Sequence, residues 1–214
     1  MKYYDFGLAP NPRRVNLFIN EKGLKIETVE INLRTGEQFS EAFLKVNPQA
    51  TVPCLALDDG NVLVETMAIC RYLEAVHPAP CLFGAQPLDI ARIEQWSRRA
   101  EMEGFLPAAD ALRNGEPRFA NRAVPGVRDY AQIPELAERG KLRCQTFFED
   151  LDKQLAGREF LAADFFSAAD INAYITVEFA ARVGVKPASA MSNLLGWYKA
   201  VGERPSVRAL PAPP

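Results

Sequence analysis

The sequence predicts an α/β domain followed by an all-α domain. Three observations carry that reading. Short runs that alternate apolar and polar residues occur only in the first third of the chain. After Leu88, apolar residues recur at helical spacing instead. Pro78 and Pro80 punctuate the change. The expected division is an α/β domain over residues 1–80, a linker over 81–87, and an all-α domain over 88–210. The 214 residues suffice for two small domains and can bury a core without disulfide or metal staples.

The α/β domain reads as β-α-β-α-β-β-α with a mixed sheet. Lys2-Tyr3-Tyr4-Asp5 is the first strand, broken by Gly7, Pro10 and Pro12. A helix follows from Arg13, with Val15, Phe18 and Ile19 on one face. Asn11 before Pro12 has the order of an N-cap and a first helical residue. Gly23 stops that helix. Residues 26–31 alternate and give a second strand, and a helix is expected over Glu37–Val46, ending at Asn47-Pro48. Pro53 opens a strand, since proline suits a strand start or an edge. Asp58-Asp59-Gly60-Asn61 is turn chemistry, so Val62–Val64 is the return strand of a hairpin. Glu65-Thr66 opens a helix with Ile69, Tyr72, Leu73 and Val76 on one face.

In the second domain a long helical pattern covers 88–113, with a bend expected at Gly104 and Pro107. Glycines and prolines across 114–134 indicate a long loop. A helix carrying Phe148, Leu151 and Leu155 follows. Ser167 and Asp170, three residues apart, are spaced as a capping box for the next helix. A last helix is expected from about Met191 to Gly202, ended by Arg204-Pro205-Ser206, with residues 211–214 as a loose tail.

Composition narrows the function. Apolar residues make up 48% and charged residues 24%, an ordinary globular balance. The net charge is −2, which disfavours nucleic acid and anionic membrane as partners. No apolar run approaches a membrane span. MKYYDFGLAP has no signal-peptide character, so a cytoplasmic location is expected. Cys54, Cys70, Cys81 and Cys144 form no C-x-x-C pair and read as reduced thiols. The single histidine, His77, sits beside Pro78 at a helix end. A metal site is therefore not expected.

Four motifs span nearly the whole chain. They are Asn47-Pro48-x-x-x-Val52-Pro53-x-Leu55, Glu65-Thr66-x-Ala68-Ile69-x-x-Tyr72-Leu73, Ser167-x-Ala169-Asp170 and Trp197-Tyr198…Arg204-Pro205-Ser206. In order and spacing they resemble the cytosolic glutathione S-transferases. The element order of the first domain is likewise that of a thioredoxin-like fold. The resemblance implies glutathione as co-substrate, a small hydrophobic electrophile, and a homodimer. It implies a cis Val52–Pro53 peptide, which turns the Val52 N–H and C=O toward a cleft. There an extended tripeptide can add as a strand. The helix opening at Glu65-Thr66 aims free N–H groups at the γ-glutamyl carboxylate. Glu65 would help hold the ligand's amino group, and Gln38 its glycine carboxylate. Taken alone, Pro53 is a strand starter, Thr66 a cap and Gln38 a solvated surface residue.

The first loop departs from the family pattern. The usual Ser, Cys or Tyr positions, which steady the thiolate, hold Leu8 and Ala9. No Ser, Thr or Cys occurs in residues 1–16. The remaining donors are helix-start backbone amides near Asn11 and Arg13, the Asn11 amide, and Arg13 or Arg14. Asn11 is equally readable as a plain N-cap. Pro10-Asn11-Pro12-Arg13-Arg14-Val15 resembles a fungal and bacterial subgroup without the usual hydroxyl or thiol. The histidines its relatives show after the long helix are absent from Arg113-Asn114-Gly115-Glu116-Pro117. Leu8, Leu106, Arg113 and Asn114 are expected around the electrophile. Two rivals remain open: a non-catalytic binding or scaffold protein, and a glutathione-dependent thiol reductase, which Ala9 disfavours.

Overall fold

The computed structural model describes residues 1–212. Its first unit is built on a four-stranded mixed sheet of order β2-β1-β3-β4. β1 (Lys2–Asp5) pairs parallel with β2 (Glu27–Glu30) and antiparallel with β3 (Cys54–Ala56), and β4 (Val62–Val64) closes the hairpin. β1 and β3 are central because they carry the inward residues: Tyr3, Cys54 and Leu55 are buried to 1% exposure or less. The parallel β1–β2 pair needs a crossover, supplied by α1 (Pro10–Glu21). A second core cluster joins Phe6, Ile31, Phe43, Val52 and Cys54.

Three local expectations shift. α1 begins at Pro10, three residues before Arg13, with Ala9 rather than Asn11 at the N-cap. Pro10 has the fixed φ that suits the first helical position. The helix expected over 37–46 is a 3₁₀ turn (Glu37–Phe39) and a short α2 (Glu41–Leu44). Ser40 separates them: it is extended, and its hydroxyl accepts the Phe43 N–H at 3.2 Å. The strand expected over 26–31 is trimmed to β2. α3 (Thr66–Val76) ends at His77. Buried Lys22 ties off this end, meeting Glu74 at 2.6 Å and the carbonyls of His77 and Pro80 at 2.7 Å each.

The first compact unit comprises Met1–Pro80, Val124–Arg128 and the tail from Ala209; the second comprises Cys81–Ala123 and Asp129–Arg208. Residues 81–87 thus group with the helices. Residues 124–128, 209 and 210, expected in the second domain, group with the sheet, as do 211 and 212, expected as a loose tail. The tail is not loose at Pro211, whose carbonyl accepts from Arg13 Nη1 at 2.6 Å. Pro213 and Pro214 lie outside the described residues.

The second unit is helical. α4 (Pro87–Arg99) runs into a π-helical segment (Ala100–Phe105) and then α5 (Leu106–Gly115). Proline at 107 cannot donate to the preceding turn, and the π turn absorbs that loss in place of a simple bend. Gly104 lets neighbours close in: an added Cβ would lie 2.5 Å from Phe147 and 2.6 Å from Thr176. α6 (Pro134–Gln154) packs along α5. α7 (Ala168–Ala181) is central, with 13 of its 14 residues buried, the polar Asp170, Asn172, Thr176 and Glu178 among them. α8 (Ser192–Gly202) follows, and Pro205 starts a short α9 (Pro205–Arg208) rather than a bare stop. Among the described residues no helix is long and apolar enough to cross a membrane.

Candidate active site

The Asn47-Pro48 turn positions the residue before Pro53. Asn47 is buried, and its amide donates to the Thr51 carbonyl at 2.8 Å and to the Thr51 hydroxyl at 3.2 Å. Its oxygen accepts from the Gln49 N–H at 3.1 Å. The loop is therefore held from both ends by one side chain. It delivers Val52, 8% exposed, with a cis bond to Pro53. The Val52 N–H and C=O make no hydrogen bond among the described residues. A backbone donor and acceptor left open beside a sheet strand can pair with an extended peptide.

β4 leads directly into α3 through Glu65, whose φ of 71° and ψ of 124° are unusual for a residue with a side chain. Such strain persists where the surroundings enforce it, often at ligand sites. Glu65 at the N-cap of α3 makes no side-chain cap, and Thr66 at the helix start is 5% exposed. The Glu65 side chain is exposed. Gln38, in the 3₁₀ turn, is not a solvated surface residue. It is 3% exposed, and its Oε1 has no partner among the described residues. An unpaired buried acceptor is costly unless a donor completes it.

The first loop holds fewer donors than the sequence suggested. Pro10 and Pro12 have no N–H. The Ala9 N–H goes to the Phe6 carbonyl at 2.7 Å and the Arg13 N–H to the Ala9 carbonyl at 3.1 Å. That leaves the backbone N–H of Asn11 at the start of α1. Its side-chain oxygen accepts from Arg14 Nη2, so the Asn11 Nδ2 is the end left to donate. The Arg13 guanidinium is buried and occupied with the carbonyls of Gly7 and Pro211. The Tyr3 hydroxyl donates to the Pro12 carbonyl at 3.3 Å. Leu8 and Ala9 pack against the cluster that contains Val52.

The remaining candidates sit on α5 in the second unit. Leu106 is 50% exposed. Asn114 is buried and engaged at both ends. It donates to the Asp110 carbonyl at 3.0 Å and accepts the Ile133 N–H at 2.9 Å, where α6 begins. Its part is to join α5 to α6, not to face a ligand. Asn47 and Ser40 are positioning residues that sequence reasoning did not assign, and Arg14, offered by the sequence as a thiolate donor, holds the Asn11 oxygen. For Asn47 a signal existed: Asn two residues before a turn amide is an Asx turn.

An open backbone pair at Val52, a helix start without a side-chain cap and a helical second unit belong to a two-part fold of a mixed α/β unit and an all-α unit. The N-terminal domain model of glutathione S-transferases matches residues 9–76, and the C-terminal domain model residues 123–205. Glutathione S-transferase 2 of Saccharomyces cerevisiae is 34% identical over 212 residues, 98% of this chain and 89% of that protein. The crystal structure of Gtt2 from Saccharomyces cerevisiae superposes with a TM-score of 0.88 at 33% identity, covering 99% of this chain and 100% of that one. A glutathione S-transferase domain-containing protein of Marinobacter aquaeolei VT8 gives 0.87 at 33% identity, covering 97% and 100%. This chain belongs to the glutathione S-transferase family.

Proposed function

We propose that this glutathione S-transferase joins the thiolate of glutathione to a small hydrophobic electrophile, as a cytoplasmic homodimer. The thiol proton leaves to solvent. The thiolate sulfur then attacks an electrophilic carbon, the C–S bond forms, and the leaving group departs with its electron pair. Val52 pairs with the peptide backbone. Thr66 and the α3 N-terminus take the γ-glutamyl carboxylate. Gln38 donates to the glycine carboxylate, and Glu65 meets the amino group. The thiolate is held by the backbone N–H and Nδ2 of Asn11, with Arg14 positioning that amide. Leu8, Leu106 and Arg113 are assigned to the electrophile.

The observation that carries this reading is the pairing of an open Val52 backbone with an uncapped α3. Calorimetric titration of glutathione tests it. Millimolar or tighter binding is expected, weakened in Thr66→Ala by about 0.5–2 kcal/mol, the scale of one hydrogen bond to a charged group. No heat of binding at several millimolar ligand contradicts it. The scarcity of donors at α1 favours one second reading, a protein that binds glutathione without turnover. An aryl halide assay on the same sample separates the two.

A further inference from the structure

The end of α5 holds a group of cations that conjugation of a neutral electrophile does not need. Arg113 lies in the last turn of α5. Its Nη1 donates to the Arg122 carbonyl at 2.6 Å, and its guanidinium lies 4.7 Å from the centre of the Phe119 ring. Arg118 approaches the same ring at 5.1 Å. Neither Arg113 nor Arg118 meets a carboxylate within ion-pair distance among the described residues. Burial, helped by the like charge of Arg122, pushes Arg113 down to about 10.

The segment that carries these cations is firmly framed. Gln132 Nε2 donates to the carbonyls of Arg113 and Glu116 at 2.7 Å each. The Ala123 N–H donates to the Tyr130 carbonyl at 3.1 Å, and the Tyr130 N–H to the Asn121 carbonyl at 2.9 Å. A half-buried guanidinium beside like charge is expensive, and one aromatic ring offsets only part of that cost. Arg113 keeps N–H groups beyond the one given to Arg122, arranged in the planar fork that matches a carboxylate.

We propose that Arg113 and Arg118 receive a carboxylate borne by the electrophile, so that the favoured substrates are apolar electrophiles carrying one acidic group. This rests on the reading that the end of α5 serves the electrophile. A purely structural Arg113, clamping the loop through the Arg122 carbonyl, is the alternative the experiment decides against or for.

The test has two arms. In the first, 3,5-dinitrobenzoate and its neutral amide, which lack a leaving group, are titrated into the free protein by calorimetry. In the second, 4-chloro-3,5-dinitrobenzoate and its amide are turned over with glutathione, each rate divided by its uncatalysed rate. There the sulfur displaces chloride from the ring carbon. The expected preference for the carboxylate is about tenfold or more in both arms, falling several-fold in Arg118→Ala and in Arg113→Gln and shrinking as salt rises. Arg118 is exposed, so its variant carries the test if Arg113→Gln does not fold. Equal binding of acid and amide overturns the proposal, as does a preference that survives in Arg118→Ala. A carboxylate preference in binding without any turnover supports the anion site and counts against the transferase reading. Turnover without preference does the reverse.

Discussion

Asn11 offers a backbone N–H and a side-chain N–H at one place, and Arg14 decides which way the amide points. Arg14 is buried and bonded to the Asn11 oxygen. The oxygen could not turn away without breaking that bond, which leaves the nitrogen as the end free to donate. The same polar economy explains the chain's own thiols. Burial pushes Cys54 and Cys70 up to about 12 and Cys144 up to about 11, while Cys81 is exposed. Raised values in the fold mean that the neutral thiols stabilise it fully below their unfolded pKa of about 8.5. That contribution is lost as pH climbs from there through 11 to 12. An aromatic disulfide reagent near pH 8 should therefore read one rapid thiol in the native protein and four after unfolding. Two or more rapid native thiols would contradict the burial. At this scale the sequence was partly legible. The Thr66 helix start follows from Glu65-Thr66 before a helical pattern, while the open Val52 was an expectation of the family resemblance and not of spacing. The burial of Gln38 does not, because a 3₁₀ turn, which no local periodicity marks, folds it inward.

The elements are held by polar groups as much as by apolar faces. At the start of α7, Asp170 is fully buried. It accepts from the Leu161 N–H at 2.9 Å, the Ser167 N–H at 3.0 Å, the Ser167 hydroxyl at 2.9 Å and the Trp197 indole at 3.2 Å. Burial raises its carboxyl pKa, and these donors pull the other way. One side chain thus joins the loop before α7, the α7 start and α8. Asp170→Ala would strand three N–H donors, each costing about 1–3 kcal/mol. We expect a loss of at least ~3 kcal/mol, a fall of roughly 6–12 °C in Tm at this chain length. Ser167→Ala should cost about 1 kcal/mol. Thermal unfolding of both variants checks this, and equal losses would contradict the hub role of Asp170. The capping-box spacing made Ser167 and Asp170 readable as a helix start. The reach to Trp197 is a tertiary contact that no spacing shows. The start of α1 was misread by three residues because Asn11-Pro12 and Ala9-Pro10 offer two proline starts. The structure takes the earlier one, where Ala9 is already extended.

At the scale of the whole molecule, the order of elements was legible because helix and strand periods separate cleanly along the chain. The assignment of residues 124–128 and the tail to the first unit was not, because neither segment carries a period of its own. The function turns on one quantity, the pKa of glutathione's thiol when bound. Free thiols of this type ionise near 8.5. If Asn11 holds the sulfur as proposed, a single backbone N–H and one amide at a helix start that lacks two of its N–H groups would lower this by about one unit. The decisive measurement is the ultraviolet absorbance of bound thiolate against pH, in the wild type, Asn11→Ala and Ala9→Ser. The expected wild-type pKa is near or slightly above 7, raised in Asn11→Ala and lowered in Ala9→Ser, with turnover rising with pH to match. A wild-type pKa well below 7 that does not move in Asn11→Ala would show that the sulfur is held elsewhere, and would contradict the account.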